Sequence, residues 1–452
     1  MIFQEHIPVN TKSKKRFPSP LWRFGAGGVL LACGTMIGYR MFAAQTVLAP
    51  VVPAPPVQPQ DQLNQVNEMD VFQPAGQAEQ NTLPDIFIYG PLQLRPHFDY
   101  HFMYGNGVQS APGDQQSTIV QEFSPGLMID LGPHWVLDYT PTLRFYSDKN
   151  FKDGVDHNVT LTGGVNYDAW RFGLSHNTQI TSAPTIETGA QTDQTTHSTS
   201  LTATRALTDN MSTDLSLNQN ITLVSGFQDS YDWNTMDWLN YKFWPRLNAG
   251  IGVGGGYVLI EGNGDGNGQG AIQNFGVNNS NSDQTYEELQ ARVNWRATDK
   301  ISLQINGGLE DRQFQTAGAG DSLDPIYGVG IQYLPFKYTQ ISLNANRTAS
   351  SSDFYLAAQQ VETTIVSLSL SQRLLQKFNL LLGASYTKDD YNSGAVAVNR
   401  SDDVLSFNAT LSHPFYKRGT WSVYYQYQKD DSSQAGFGFE SNQVGFEISY
   451  RY

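Results

Sequence analysis

From about residue 92 onward, apolar and polar residues alternate one for one along the chain. Leu92, Leu94, Pro96, Phe98, Tyr100 and Phe102 fall on one side, and Gln93, Arg95, His97, Asp99 and His101 on the other. Successive side chains of a strand point to opposite faces, so this alternation predicts a strand with one apolar and one wet face. The scheme recurs at Phe123/Pro125/Leu127/Ile129/Leu131, Trp135/Leu137/Tyr139/Leu143/Phe145 and Val159/Leu161/Val165/Tyr167. Further copies run through Trp170/Phe172/Leu174, Ile301/Leu303/Ile305/Leu309, Phe378/Leu380/Leu382/Tyr386, Leu405/Phe407/Leu411 and Trp421/Val423/Tyr425/Tyr427. The last copy is the C-terminus itself, where Val444, Phe446, Ile448, Tyr450 and Tyr452 oppose Gly445, Glu447, Ser449 and Arg451. A helical period of 3.6 does not hold such alternation over ten residues.

The connections alternate as well. Short turns are expected at Gly132 to His134, Asp168-Ala169, Thr208-Asp209-Asn210, Pro245-Arg246, Thr298-Asp299-Lys300, Pro335-Phe336-Lys337, Gln376-Lys377 and Tyr416 to Gly419. Between them lie longer polar links, among them 105–116, 147–155, 182–195, 261–282, 388–400 and 431–438. Short turns at one end and long loops at the other, joined by strands wet on one face, predict an all-β fold. The expected architecture is a single transmembrane antiparallel up-and-down barrel of about 18 strands (16–18) over residues 92–452, with periplasmic turns and extracellular loops. Trp135, Trp170, Trp244, Trp295 and Trp421 each lie close to a short turn, where an indole finds both hydrocarbon and a polar partner. A soluble sandwich gives no reason for that placement.

Composition agrees with this reading. Only 15% of residues are charged, 12% are aromatic, and no run of apolar residues is long enough for a membrane helix. A net charge of −14 argues against nucleic acid as a partner. A lone cysteine, Cys33, leaves no intramolecular disulfide framework. Lys12, Lys14, Lys15, Arg16 and Arg23 precede an apolar run from Phe24 to about Ile37, which reads as an export signal region over 1–49. Leu30-Leu31-Ala32-Cys33 admits two readings: an ordinary export signal with an incidental cysteine, or a lipoprotein box that lipidates Cys33. Residues 50–91, rich in Pro and Gln, read as a periplasmic linker.

Candidate chemistry is sparse. His97, Asp99 and His101 share a face, but alternate strand positions spread them over about 13 Å, too far for one metal ion. Gly250-Ile251-Gly252-Val253-Gly254-Gly255 matches a dinucleotide fingerprint without the helix that would hold a phosphate. The structural reading is a water-facing strip, Asn248, Gly250, Gly252, Gly254 and Gly256, nearly free of side chains. The Gly/Asp-rich stretch Glu261 to Gly270 reads as a flexible loop. Asp153, Asp156, Asp193, Asp389, Asp390, Asp402, Asp403, Asp430 and Asp431 are expected on outer loops, with two readings: carboxylates that divalent ions bridge to lipopolysaccharide phosphates, or ordinary solvated loops. No Ser, His and carboxylate converge on one face, so no catalytic residues, metal site or cofactor are expected. The charges expected to line the lumen are Arg95, Asp99, Glu122, Asp130, Arg144, Arg171, Arg292, Glu310, Arg312 and Glu447.

Three stretches resemble segments of the second outer-membrane β-barrel porin family. They are Glu122-Phe123-Ser124-Pro125-Gly126-Leu127, Asp156-His157-Asn158 and Thr204-Arg205-Ala206-Leu207-Thr208-Asp209. The resemblance implies an outer-membrane barrel of bacteria, often associated with exopolysaccharide systems, and no catalytic residues. The aromatic C-terminal strand is similar to the closing strand that the outer-membrane assembly machinery recognises, with Phe446, Ile448, Tyr450 and Tyr452 as the signal. The expected partners are thus outer-membrane lipid, lipopolysaccharide, that machinery and polysaccharide. Two functions are expected to compete: a passive channel for small polar solutes or saccharides, and a non-conducting component of an exopolysaccharide assembly or export system.

Overall fold

The computed structural model describes residues 87–106, 117–182, 184–185, 190–225, 228–262, 283–315, 320–351, 359–375, 377–393, 400–416, 418–434 and 438–452. The expected export region with Cys33, nearly all of the linker and most of the Gly/Asp-rich loop lie outside these residues. Nine strands come from the first half of the barrel: β1 (Leu92–Asn106), β2 (Ser117–Leu131), β3 (Trp135–Tyr146), β4 (Gly154–Tyr167), β5 (Trp170–Thr181), β6 (Gln194–Thr208), β7 (Met211–Val224), β8 (Gln228–Trp244) and β9 (Leu247–Gly262). Nine more follow: β10 (Gln284–Thr298), β11 (Ile301–Phe314), β12 (Ser322–Phe336), β13 (Thr339–Ser351), β14 (Gln359–Leu374), β15 (Phe378–Ser393), β16 (Arg400–Phe415), β17 (Gly419–Ser432) and β18 (Phe439–Arg451).

Each strand pairs antiparallel with the next, and β18 pairs with β1 from His97↔Arg451 to Asn106↔Asn442, which closes the sheet. The nineteenth strand of this sheet is the two-residue Ile88–Tyr89, which folds back on Leu92 and Gln93. The fold is therefore an all-β, eighteen-stranded antiparallel barrel, and the described residues contain no α-helix.

All eight connections at one end are two or three residues long, from Gly132–His134 to the last at 416–418. Seven fall where the pattern places them; the eighth is Lys337-Tyr338, because Pro335 and Phe336 continue β12. Four of these tight connections contain a residue with positive φ. Gly132 supplies it with φ 70° and Asp168 with φ 52°, whereas Leu375 and Tyr416 adopt φ 49° and 50° at a steric cost. These two side chains are also among the most exposed on the barrel.

The pairing registers carry outward and inward positions consistently around the wall. Phe98, Tyr450, Val423 and Leu405 are exposed outside, whereas Glu122, Asn240, Arg292 and Gln426 are buried on the inner face. Counted from the short turns, four or five outward positions on most strands are apolar. That height matches the apolar band of about 25 Å that a bilayer requires. Above the band the strands continue toward the long loops. Here the expectation for the acidic residues needs correction. Asp156, Asp389, Asp390, Asp402, Asp403, Asp430 and Asp431 are strand residues, not loop residues, and Asp156, Asp389, Asp402 and Asp430 are buried. Their strands outrun the membrane, which carries polar pairs beyond the apolar band.

Candidate functional site

The inner wall is the site, and many of its charges are joined in chains of ion pairs. Arg95 pairs with Asp130 at 2.7 Å across β1 and β2. Higher up, Glu122 on β2 receives Arg144 Nε of β3 at 2.5 Å, and Arg144 Nη2 reaches Asp156 of β4 at 2.6 Å. His101 Nδ1 lies 3.2 Å from the same Glu122, and its Nε2 meets the Tyr424 hydroxyl at 2.5 Å. Asp156 in turn accepts from Thr181 Oγ1 and from the backbone N–H of Ser182. One hydrogen-bonded chain thus runs from β17 across β1, β2, β3 and β4 to the end of β5. Buried charges are tolerated when every partner is present, and here each carboxylate has a cation or a row of donors. His97 lies lower, 3.1 Å from Asp138 and 3.5 Å from Asp99.

On the far wall the glycine strip behaves differently from its expectation. The strip is not bare. Trp238 of β8 lies over Gly252, where an added Cβ would sit 2.7 Å from the indole ring. The Tyr286 ring of β10 covers Gly256, and Tyr286 Oη donates to Asp232 of β8 at 3.4 Å. Arg292 of β10 reaches over Gly250 to Asn240 Oδ1 at 3.0 Å and onward to Asp214 of β7, with its guanidinium 4.1 Å from the Trp238 ring centre. The glycines are room for neighbours' side chains: β10 grips β8 and β7 across β9. Beside them, Arg312 pairs with Glu310 at 2.7 Å and donates to Gln284 at 2.8 Å.

The same device recurs at the seam where the barrel closes. Tyr424 of β17 stands opposite Gly445 of β18, and a Cβ on that glycine would collide with the Tyr424 hydroxyl and the Phe102 carbonyl. With no Cβ there, Tyr424 crosses β18 and donates to the carbonyl of Phe102 on β1 at 3.3 Å, beside its bond to His101.

All ten charges named from the sequence take inward positions by register. Glu122, Asp130, Arg144, Arg292, Glu310, Arg312 and Glu447 are buried, and Arg95, Asp99 and Arg171 are half-buried. The structure joins Arg95 to Asp130, Glu122 to Arg144 and Glu310 to Arg312, and leaves Arg171 apart from these pairs. Phe446, Ile448 and Tyr450 point outward and are exposed; Tyr452 packs on Phe87 and under Arg418.

Sequence reasoning missed an apolar collar. Met103, Val120, Val224, Val258, Val361, Val404 and Phe439 are inward positions near the loop ends of seven strands, and all are buried. Phe151, in the connection between β3 and β4, packs on Met103, Val120, Tyr146 and Tyr424. That connection is held down by Asp153, which accepts the Tyr146 N–H at 2.9 Å, a bond that keeps its carboxyl below the ordinary range. It is also tied sideways by Lys152 N–H to Gln191 Oε1 at 2.9 Å and Gln191 Nε2 to Lys152 O at 3.0 Å. The signal was present in the sequence: near the loops, alternation gives way to apolar residues on both faces, as in Ile119-Val120.

Residues 175–447 match the family described as "Putative outer membrane beta-barrel porin, MtrB/PioB". The chain belongs to that family. Of the three stretches that carried the resemblance, Thr204–Asp209 lies inside the match and the other two precede it. Among curated proteins, no sequence matches. Solved barrels resemble this MtrB/PioB-family porin at low identity. OccK11 (OpdR) of Pseudomonas aeruginosa is 12% identical with a TM-score of 0.40 over 79% of this chain and 95% of its own. The FrpB iron transporter of Neisseria meningitidis is 8% identical, with a TM-score of 0.44 over 79% and 81%. The siderophore receptor PirA of Pseudomonas aeruginosa is 9% identical, with a TM-score of 0.42 over 79% and 80%. The porin family and the large closed barrel place the protein in the bacterial outer membrane, with its short turns periplasmic and its long loops extracellular.

Proposed function

We propose that this barrel is a passive channel for small polar solutes or saccharides. The observation that carries the reading is a closed eighteen-strand wall whose inner face is polar and carries both signs of charge, with Arg95, Arg144, Arg292, Arg312 and Arg400 held in ion pairs. A wall of that circumference encloses an aqueous lumen. Cations and carboxylates held in contact leave little net field along the axis, and the inward carboxylates outside these pairs, Asp232 and Glu447 among them, tilt a weak ion selectivity toward cations. The ten charges named above are the proposed lining.

The rival reading, a non-conducting component of an exopolysaccharide assembly or export system, draws support from one feature. The collar residues are buried and apolar, and an apolar lining that sheds water resists ions.

Conductance of the full-length protein in a planar bilayer tests both. The channel reading expects stable open steps and a reversal potential near zero in a salt gradient. Silence from folded protein, or strong anion preference, would overturn it. Val120→Ser with Val361→Ser wets the collar, so conduction by that variant alone would identify the collar as the block.

A further inference from the structure

The apolar band on the outside of the barrel is broken in one sector. At the fourth outward position above the periplasmic turns, neighbouring strands carry Val253 on β9 and Leu289 on β10, both exposed to lipid. On β5 and β8 the same position is polar: His176 and Asp237. They stand at similar heights, as the spans from Trp170 to His176 and from Trp244 to Asp237 show. Between them lie Leu201 of β6 and Leu217 of β7, which pair directly and are both exposed. One position higher, the row reads Thr178, Thr199, Gln219 and Thr235, all hydrogen-bonding side chains.

Among the described residues, the bonds that His176 and Asp237 make within the sheet go to neutral hydroxyl and backbone groups. His176 holds Thr199 Oγ1 at 2.9 Å on Nδ1 and Thr178 Oγ1 at 3.0 Å on Nε2. Each ring nitrogen thus has a hydroxyl partner, and the His197 ring stacks beside it at 6.3 Å. Asp237, among the described residues, is bonded to Thr235 at 3.4 Å and to the backbone of Ser216, and to no cation. Arg347 on β13 also faces outward at this level, but it is neutralised by Glu362. A lone carboxylate facing hydrocarbon is costly unless something polar comes to meet it.

The order His, Leu, Leu, Asp along one level has a geometric property. A two-fold axis along the membrane normal, passing between β6 and β7, carries His176 onto Asp237 of another molecule and Asp237 onto its His176. The leucines then meet at the axis. An isologous contact needs this self-complementary patch. We infer that the β5–β8 face is the interface of a symmetric dimer of this chain, in which His176 and Asp237 pair across copies around Leu201 and Leu217. Above the patch, a cleft of about 530 Å³ lined by Val155, Ile180, Thr195 and Leu223 makes the surface concave toward the loops.

Cysteine cross-linking of the full chain in native outer membranes tests the inference. Leu217→Cys sits beside the axis and should form an intermolecular disulfide. Leu368→Cys, exposed on β14 across the barrel, should not. The parent chain, whose one cysteine is Cys33, gives the background. Exchanging the charges separates pairing from mere proximity. His176→Asp alone should lower the Leu217→Cys cross-link about tenfold, and adding Asp237→His should restore it. Equal cross-linking at Leu217→Cys and Leu368→Cys, or no rescue by the double exchange in protein that still migrates as a folded barrel, would overturn the dimer. A purified full-length protein that is monomeric at every detergent-to-protein ratio would do the same.

Discussion

A few glycines hold this barrel together by what they leave out. At Gly252 and Gly445 the missing Cβ lets an aromatic ring cross a strand and touch the next. Substituting Gly445→Val should therefore cost about 1–3 kcal/mol through overpacking. Tyr424→Phe, which removes only the hydroxyl, should cost roughly 1 kcal/mol. Urea titration of the folded barrel in detergent would rank the two. Arg144 has a different role, as the cation shared by Glu122 and Asp156. Arg144→Ala strands two buried carboxylates and should destabilise by about 3–5 kcal/mol. In variants stable enough to insert, the extra negative charge should move the reversal potential toward cation preference.

At the scale of strands and turns, the closing strand and the tight turns give the sharpest expectations. Replacing Phe446, Ile448 and Tyr450 together by Ser removes the outward apolar side chains of β18, which we read as the assembly signal. The amount of heat-modifiable protein in the outer membrane should then fall steeply, with the periplasmic fraction rising. Leu375→Asn places a residue that tolerates positive φ where leucine does not, and should stabilise the barrel by about 1 kcal/mol in the same urea assay. The strands themselves were legible in the sequence because a bilayer on one side and water on the other enforce strict alternation. Alternation alone could not say which inward residues meet. The reach of Arg292 to Asp214 depends on the register of four strands and on Gly250 between them. The collar escaped notice for the same reason in reverse: Val120 and Val404 look like lipid-facing residues until the pairing shows them inside.

For the whole molecule, short turns at one end and mostly longer loops at the other mean that length changes accumulate at the outer end, while the periplasmic rim stays fixed. In bilayers, the full-length chain is expected to give weakly selective open steps, and a symmetric pair should gate or conduct as two independent lumens, seen as paired current levels. Closure itself sets a problem that the inner wall resolves. The free edge of β1 must wait for β18, and any sliding by two residues would keep every apolar side chain facing lipid, so the membrane cannot detect the error. Tyr424 can. With β1 slid two residues either way, Tyr424 would still pass over Gly445 but would find Asp99 or Met103 in the place of His101, and would lose that hydrogen bond. The only described glycine on the inner face of the final strand thus opens a window through which a side chain of the neighbouring strand reads the alignment of the seam.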